Sequence, residues 1–173
     1  MDRRDRDAFV ELVERHLPRI RRLLAALFNG SPEDMADAEQ EILVGLWVDL
    51  DRFRFASSFR TFLYRYCRNK AIDLLRRESR HRRRIGAARA AAAVAVPADP
   101  GDGLEREERR INVNRALGTL TPDERTLVVM KDVERMSIEE LSAAMRLPAG
   151  TVKSRLHRAR EKLARCLGEG AFA

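Results

Sequence analysis

Apolar positions recur along the chain at intervals of three and four, the period of a helix buried on one side. Phe9, Val13, Leu17, Ile20, Leu24 and Leu27 predict a first helix, bent at Pro18, whose ring excludes one backbone hydrogen bond. Asn29-Gly30 ends it. Ser31-Pro32-Glu33-Asp34 then reads as an N-cap, a proline at the first helical position and acids in the first turn. Ile42, Leu43, Leu46, Trp47 and Leu50 form the buried side of that second helix. A loop from Phe53 to Ser58 leads to a third, with Phe59, Phe62, Leu63, Tyr66, Leu74 and Leu75 on its apolar side. After Arg84 the chain turns alanine-rich and then runs Pro97-Ala98-Asp99-Pro100-Gly101-Asp102-Gly103, which breaks any helix and predicts a flexible linker over 85–103. Its alanine-rich half remains compatible with a helix.

Beyond the linker, Thr121-Pro122-Asp123-Glu124 and Ser137-Ile138-Glu139-Glu140 each fit a capping box, in which a hydroxyl and an acid three residues later satisfy free amides. Val152, Leu156, Ala159 and Leu163 stripe the last helix, while Thr151, Lys153, Ser154, Arg155, His157 and Arg158 crowd its leading turns with donors. A helix of this layout packs its stripe on a scaffold and offers its first turns to a DNA major groove. Ser137 to Leu147 supplies the supporting helix and turn, so the pair predicts a helix-turn-helix. No region sustains the alternation of a strand. The expected fold is all-α, two small helical domains spanning 1–84 and 104–173 with the linker between them.

Charge sharpens this picture. The net charge is +7, but it is arranged in blocks. Between Arg22 and Arg52 there is no Lys or Arg, while Glu33, Asp34, Asp37, Glu39, Glu41, Asp49 and Asp51 accumulate. From Arg52 to Arg84 the sign reverses, with Asp73 and Glu78 the only acids. Two faces of opposite sign point to two different partners. A plain solvated face remains open for the acids and fits the dense arginines poorly. Charged residues make up 35% of the chain and no apolar run approaches the ~20 residues of a membrane span, so no membrane insertion is expected. The first residues lack the apolar stretch of a signal peptide, and the expected location is cytoplasmic. Cys67 and Cys166 lie far apart, read as buried or incidental thiols, and His16, His81 and His157 form no metal-ligand spacing. The acids lack partnering His or Lys at a set spacing, so neither an enzyme nor a bound cofactor is expected.

The motifs are specific enough to carry a family resemblance. Leu120-Thr121-Pro122-Asp123-Glu124-Arg125, Ser137-Ile138-Glu139-Glu140-Leu141 and the run from Gly150 to Arg160 resemble region 4 of the extracytoplasmic-function sigma factors. Asp37-Ala38-Glu39-Gln40-Glu41 with Leu46-Trp47 resembles their region 2.2. Ser58-Phe59-Arg60-Thr61-Phe62-Leu63-Tyr64-Arg65, Asn69-Lys70-Ala71-Ile72-Asp73 and Arg76-Arg77 resemble regions 2.3 and 2.4. Both lobes match, in family order, over nearly the whole chain.

The resemblance implies a subunit that binds core RNA polymerase, carries it to promoters and helps open the DNA. Asp34, Asp37, Gln40 and Glu41 would dock on the beta-prime coiled coil, and region 4 would meet the beta flap. Phe55, Ser57, Ser58, Phe59, Arg60, Arg65, Arg68, Asn69, Arg76 and Arg77 would handle the minus-ten element, Asn69 capturing a base and the arginines holding backbone. Phe59 or Tyr66 would stack, although on an amphipathic helix Phe62 and Tyr66 more often belong to the core. Lys153, Ser154, His157 and Arg158 would read minus-thirty-five base edges, with Thr151 and Arg155 on phosphates. For Arg155 and Arg160 a solvated or ion-paired face stays open. An anti-sigma factor is the expected regulator. Three positions depart from the family: Phe62 stands for Trp, Arg146 for Gly and Ser142 for Ala. The alternative is a helix-turn-helix regulator acting without polymerase, which leaves the acidic helix unexplained.

Overall fold

The computed structural model describes residues 6–29, 31–85 and 104–168. Seven α-helices make up most of them: α1 (Arg6–Leu27), α2 (Pro32–Asp49), α3 (Phe59–Ile85), α4 (Leu104–Gly118), α5 (Pro122–Val128), α6 (Ile138–Met145) and α7 (Ala149–Leu167). A turn of 3-10 helix, Leu50–Arg52, follows α2, and a π-helical segment, Val129–Val133, follows α5. Among the described residues there is no strand, as the helical periodicity requires. The segment expected as a linker lies outside the described residues apart from Ile85, which closes α3.

Local chemistry sets the helix ends. Ser31 accepts from the Asp34 amide at 3.4 Å with Pro32 at the first position, so one otherwise orphaned donor is satisfied. The two expected capping boxes both form. The Thr121 amide donates to Glu124 at 2.8 Å and the Ser137 amide to Glu140 at 2.8 Å, while the Glu124 and Glu140 amides return to the cap hydroxyls. α1 continues through Pro18 and ends at Leu27, and the chain turns through Asn29 at φ 52°, a left-handed geometry that asparagine tolerates. α4 was not legible in the sequence as a separate element.

α1, α2 and α3 bury Leu23, Leu24, Leu27, Ala38, Ile42, Leu46, Leu63 and Cys67 against one another. Each large aliphatic removed from water there contributes roughly 1.5–3 kcal/mol. α2 and α3 approach closely at Gly45: a Cβ there would lie 2.5 Å from the Tyr66 hydroxyl, which donates to Asp49 at 3.1 Å. Burial pushes the Cys67 thiol up to about 12, so it is a packed, protonated group, whereas Cys166 is exposed.

The cluster does not stop at α3. Leu127, Met130, Met136, Leu141, Val152 and Leu156 belong to the same continuous core, while Ala116, Leu120, Val128, Ala159 and Leu163 form a second one between α4, α5 and α7. The C-terminal helices thus pack on the N-terminal three: α5 meets α1, and α6 meets α3. At this junction Arg125 donates to the carbonyls of Leu27 at 3.0 Å and Ala26 at 3.4 Å, covering the open end of α1. The Glu134 carboxylate accepts from Arg22 at 2.5 Å and lies 3.3 Å from Arg19. Beside it the Tyr64 hydroxyl is buried without a hydrogen bond, and burial, then the Glu134 charge, raise it above the ordinary phenol range.

Candidate nucleic-acid interface

α7 begins just after Pro148, which offers no side-chain cap, and its stripe of Val152, Leu156, Ala159 and Leu163 is buried. The opposite side therefore faces solvent. Lys153, Ser154, His157 and Arg158 are all exposed, and Thr151 and Arg155 flank them half-buried. Ser154 donates to the Thr151 carbonyl at 3.0 Å, His157 lies 3.4 Å from Glu161, and Arg155 lies 3.7 Å from Asp123. Arg160, left open between a solvated and a paired reading, is paired with Asp132.

The turn before α7 is built by two of the departing residues. Arg146 adopts φ 54°, ψ 46°, the left-handed conformation that glycine favours and that is costly for a residue with a side chain. Ser142 closes the turn by donating to the Leu147 carbonyl at 2.5 Å, a tie that alanine lacks and that the sequence did not reveal. Replacing Arg146→Gly is expected to relieve the left-handed cost and raise stability by up to about 1 kcal/mol. A urea denaturation midpoint at or below that of the parent would contradict this.

On α3, Ser58 caps the first turn, accepting from the Thr61 amide at 3.2 Å, and Ser57 donates to the Ser58 carbonyl at 3.4 Å. Phe53, Phe55, Phe59 and Phe62 form a run of ring contacts with centroids 4.6–6.0 Å apart. The run passes from solvent to core: Phe55 is 85% exposed at φ 56°, and Phe62 is 6% exposed. Phe62 is thus core, and Tyr66 is tied to Asp49. Phe53 and Phe59 are half-buried, and Phe55 is the most exposed ring of the run. Asn69 is exposed, with its carbonyl oxygen accepting from Arg68 at 2.8 Å.

The arginines of α3 differ in their engagement. Arg65 lies 5.9 Å over the Phe62 ring. Exposed Arg76 and Arg77 make loose contacts, 3.8 Å to Asp73 and 3.2 Å to Glu41. Arg60 and Arg68 are held by acids from the C-terminal helices, Glu140 at 2.6 Å and Asp123 at 2.5 Å. The amide of Ser137 and then Arg60 hold the Glu140 carboxyl below the usual carboxylate range.

Along α2, Asp37 and Gln40 are exposed and Asp34 and Glu41 half-buried, at successive steps of three and four. Glu39 is instead consumed by a bidentate pair with Arg21 at 2.8 and 2.9 Å. Beside the acids an open groove is lined by Met35, Leu43 and Val44, and Val44 and Val48 are 60% and 59% exposed. Sequence reading assigned only Asp34, Asp37, Gln40 and Glu41 here; the two valines, four residues apart, were the available signal. Among the described residues no group of His, Cys, Asp and Glu is arranged to hold a metal.

A helix-turn-helix with a solvent-facing cationic reader, beside a second basic helix with an acidic flank, is the architecture of a DNA-binding protein with a further macromolecular surface. Comparison with known proteins places it. Residues 12–81 match the family Sigma-70 region 2, and residues 110–163 match Sigma-70, region 4. The ECF RNA polymerase sigma factor SigM of Mycobacterium tuberculosis is 34% identical over 164 residues, covering 95% of this chain and 79% of its own length. The ECF RNA polymerase sigma-E factor of Escherichia coli is 31% identical over 166 residues, covering 92% and 86%. Among solved structures, the sigma factor RpoE in complex with the anti-sigma factor NepR from Bartonella quintana superposes with a TM-score of 0.77 at 24% identity, covering 92% of this chain and 96% of that one. CnrH in complex with the cytosolic domain of CnrY gives 0.68 at 28% identity, covering 97% and 92%. The chain belongs to the extracytoplasmic-function sigma factors: it directs RNA polymerase to promoters and is not an enzyme. The regulator acting without polymerase is not favoured.

Proposed function

We propose the following division of work within that function. Residues 1–84 bind core polymerase and the minus-ten element, and residues 104–173 bind the minus-thirty-five element. Asp34, Asp37, Gln40 and Glu41 meet the beta-prime coiled coil by charge-assisted pairing. Lys153, Ser154, His157 and Arg158 read duplex base edges, while Thr151 and Arg155 hold phosphates. The observation that carries this reading is the solvent-facing set on α7 opposite a fully buried stripe. Transcription in vitro with core polymerase on a promoter library tests it, and a subunit that confers no start-site preference rejects it.

At the minus-ten element Phe55, Ser57, Ser58 and Phe59 line the strand-capture loop, Asn69 binds a flipped base, and Arg60, Arg65, Arg68, Arg76 and Arg77 hold the strand. The exposure of Phe55 and Asn69 supports this. Asn69→Ala is expected to slow open-complex formation about tenfold, near the loss of one charge-independent base contact, while duplex binding changes little. Permanganate reactivity of the opened strand, set against footprinting of the closed complex, separates the two. An equal fall in both counts against base capture.

An anti-sigma factor is the proposed regulator, supported by the two structural relatives, each a sigma factor or its like bound to such a partner or a cytosolic domain. The proposed location is cytoplasmic. No helix among the described residues is long and apolar enough to cross a membrane.

A further inference from the structure

Gly45 leaves a notch in α2, and Tyr66 of α3 lies across it, its hydroxyl 2.5 Å from where a Cβ of residue 45 would stand. There Tyr66 Oη donates to Asp49 Oδ2 at 3.1 Å. Arg52 faces the other carboxylate oxygen at 3.2 Å, and the Lys70 ammonium borders the notch, so cations offset the acid toward a DNA strand. A phenol has a single proton to give. Burial, then the hydrogen bond to Asp49, raise Tyr66 above the ordinary phenol range, which keeps that proton in place. With its proton committed, Oη offers a further partner only lone pairs.

Asn69 has the opposite polarity. Its carbonyl oxygen accepts from Arg68 at 2.8 Å, which leaves its NH2 group to donate. Tyr66 and Asn69 are three residues apart on α3 and so neighbours on its surface, with Cβ atoms about 5–6 Å apart. The Tyr66 ring lies 6.1 Å from Phe62, itself 5.0 Å from Phe53, and these rings supply an apolar wall. A donor and an acceptor set side by side against such a wall can read the pairing edge of a single unstacked base. Cytosine and adenine present a ring nitrogen that accepts beside an amino group that donates, and match this order. Thymine and guanine present a ring N–H beside a carbonyl, which sets donor against donor and lone pair against lone pair.

We propose that Tyr66, fixed as an acceptor by Asp49, is the discriminating residue beside Asn69, and that the base captured there carries an exocyclic amino group, as cytosine and adenine do. Tyr66 touches the base, and Asp49 acts through it as a positioning residue. This rests on the assignment of Asn69 to a flipped base.

Holoenzyme binding to fork-junction DNA with an unpaired minus-ten strand tests it. Each unpaired position is changed in turn to the four bases and to the analogues of cytosine and adenine that lack the amino group. At one position the parent is expected to bind cytosine or adenine at least about tenfold more tightly than thymine or guanine, the value of one polar base contact. The analogues should lose most of that advantage, and the ranking of cytosine against adenine reports the ring size accepted. Tyr66→Phe keeps the ring and removes the lone pairs, while Asp49→Ala frees the hydroxyl to donate. Both should erase the preference at that position and leave the ranking at the others unchanged. Gly45→Ala displaces the hydroxyl and should erase it too, but should add nothing to Tyr66→Phe, which has no hydroxyl to displace. Thermal unfolding of each free variant reports its fold. A parent without a position favouring the amino bases, or a Tyr66→Phe holoenzyme that keeps the preference, overturns the reading by Tyr66. A preference retained in Asp49→Ala overturns the positioning role. Asn69→Ala separates the underlying assignment: unchanged binding to every base at that position rejects Asn69 as the capturing residue. Weakened binding in that variant, with a parent that prefers thymine or guanine, rejects Tyr66 alone.

Discussion

Asp37→Arg combined with Glu41→Arg is expected to weaken binding to core RNA polymerase by at least ~100-fold, since each charge-assisted contact is worth about 1.5–3 kcal/mol and reversal adds repulsion. The fold should survive. Asp37 is exposed on the middle of α2, and Glu41 gives up only a 3.2 Å contact with exposed Arg77. Exposed pairs of that kind contribute at most about 1 kcal/mol, and arginine suits a helix interior better than aspartate. Equilibrium titration of labelled subunit with core polymerase measures the first effect, and thermal unfolding of the free subunit measures the second. Glu39→Gln is the informative companion, because Glu39 already satisfies Arg21 within the subunit. Its loss should leave core affinity near that of the parent. Unchanged affinity in the double reversal would move the docking surface elsewhere, with the groove at Met35, Leu43 and Val44 the next place to test.

The contrast between Glu39 and its neighbours shows where sequence reading stops. The starts of α2, α5 and α6 were legible because a cap is a local event: a hydroxyl, a proline and an acid within four residues fix which amides are satisfied. The buried stripe of α7 was legible for the same reason, since its period is a property of one helix. In the sequence Asp123 reads only as an acid of a first helical turn and Glu140 only as the acid of a capping box. Their second role, pairing Arg68 and Arg60 from residues 55 and 80 positions earlier, depends on how separate helices pack, and no local pattern encodes that. The π-helical segment and the left-handed Arg135 that set Glu134 in place are likewise products of packing rather than of propensity.

Aromatic residues illustrate the same limit in one place. Phe53, Phe55, Phe59 and Phe62 share a composition, yet one is solvent-exposed and another is core. Periodicity favoured a core reading for Phe62, and it is buried where the family usually carries Trp. For Phe55 no period helps, because it sits in the loop before α3, where its backbone takes a positive φ and its side chain is exposed.

Lys153→Ala with Arg158→Ala is expected to abolish discrimination at the minus-thirty-five element. Each cation that pairs with a guanine edge is worth about 1–3 kcal/mol of discrimination, so the pair should reduce holoenzyme affinity for a matched promoter by about 2–6 kcal/mol. Both side chains are exposed on α7, and the stripe that anchors the helix is untouched, so the fold is not at issue. Arg155→Ala provides the opposite signature. Its guanidinium flanks the reading face and lies 3.7 Å from Asp123, the position of a phosphate anchor rather than of a base reader. Its removal should lower affinity evenly across sequences and flatten the salt dependence by about one contact. Arg160→Ala should do neither, because that side chain is paired with Asp132. Binding of holoenzyme to a panel of promoters altered only at the minus-thirty-five element distinguishes the three. If the double variant weakened every promoter alike, with the ranking of sequences preserved, α7 would be a backbone clamp and the sequence would be read by another element.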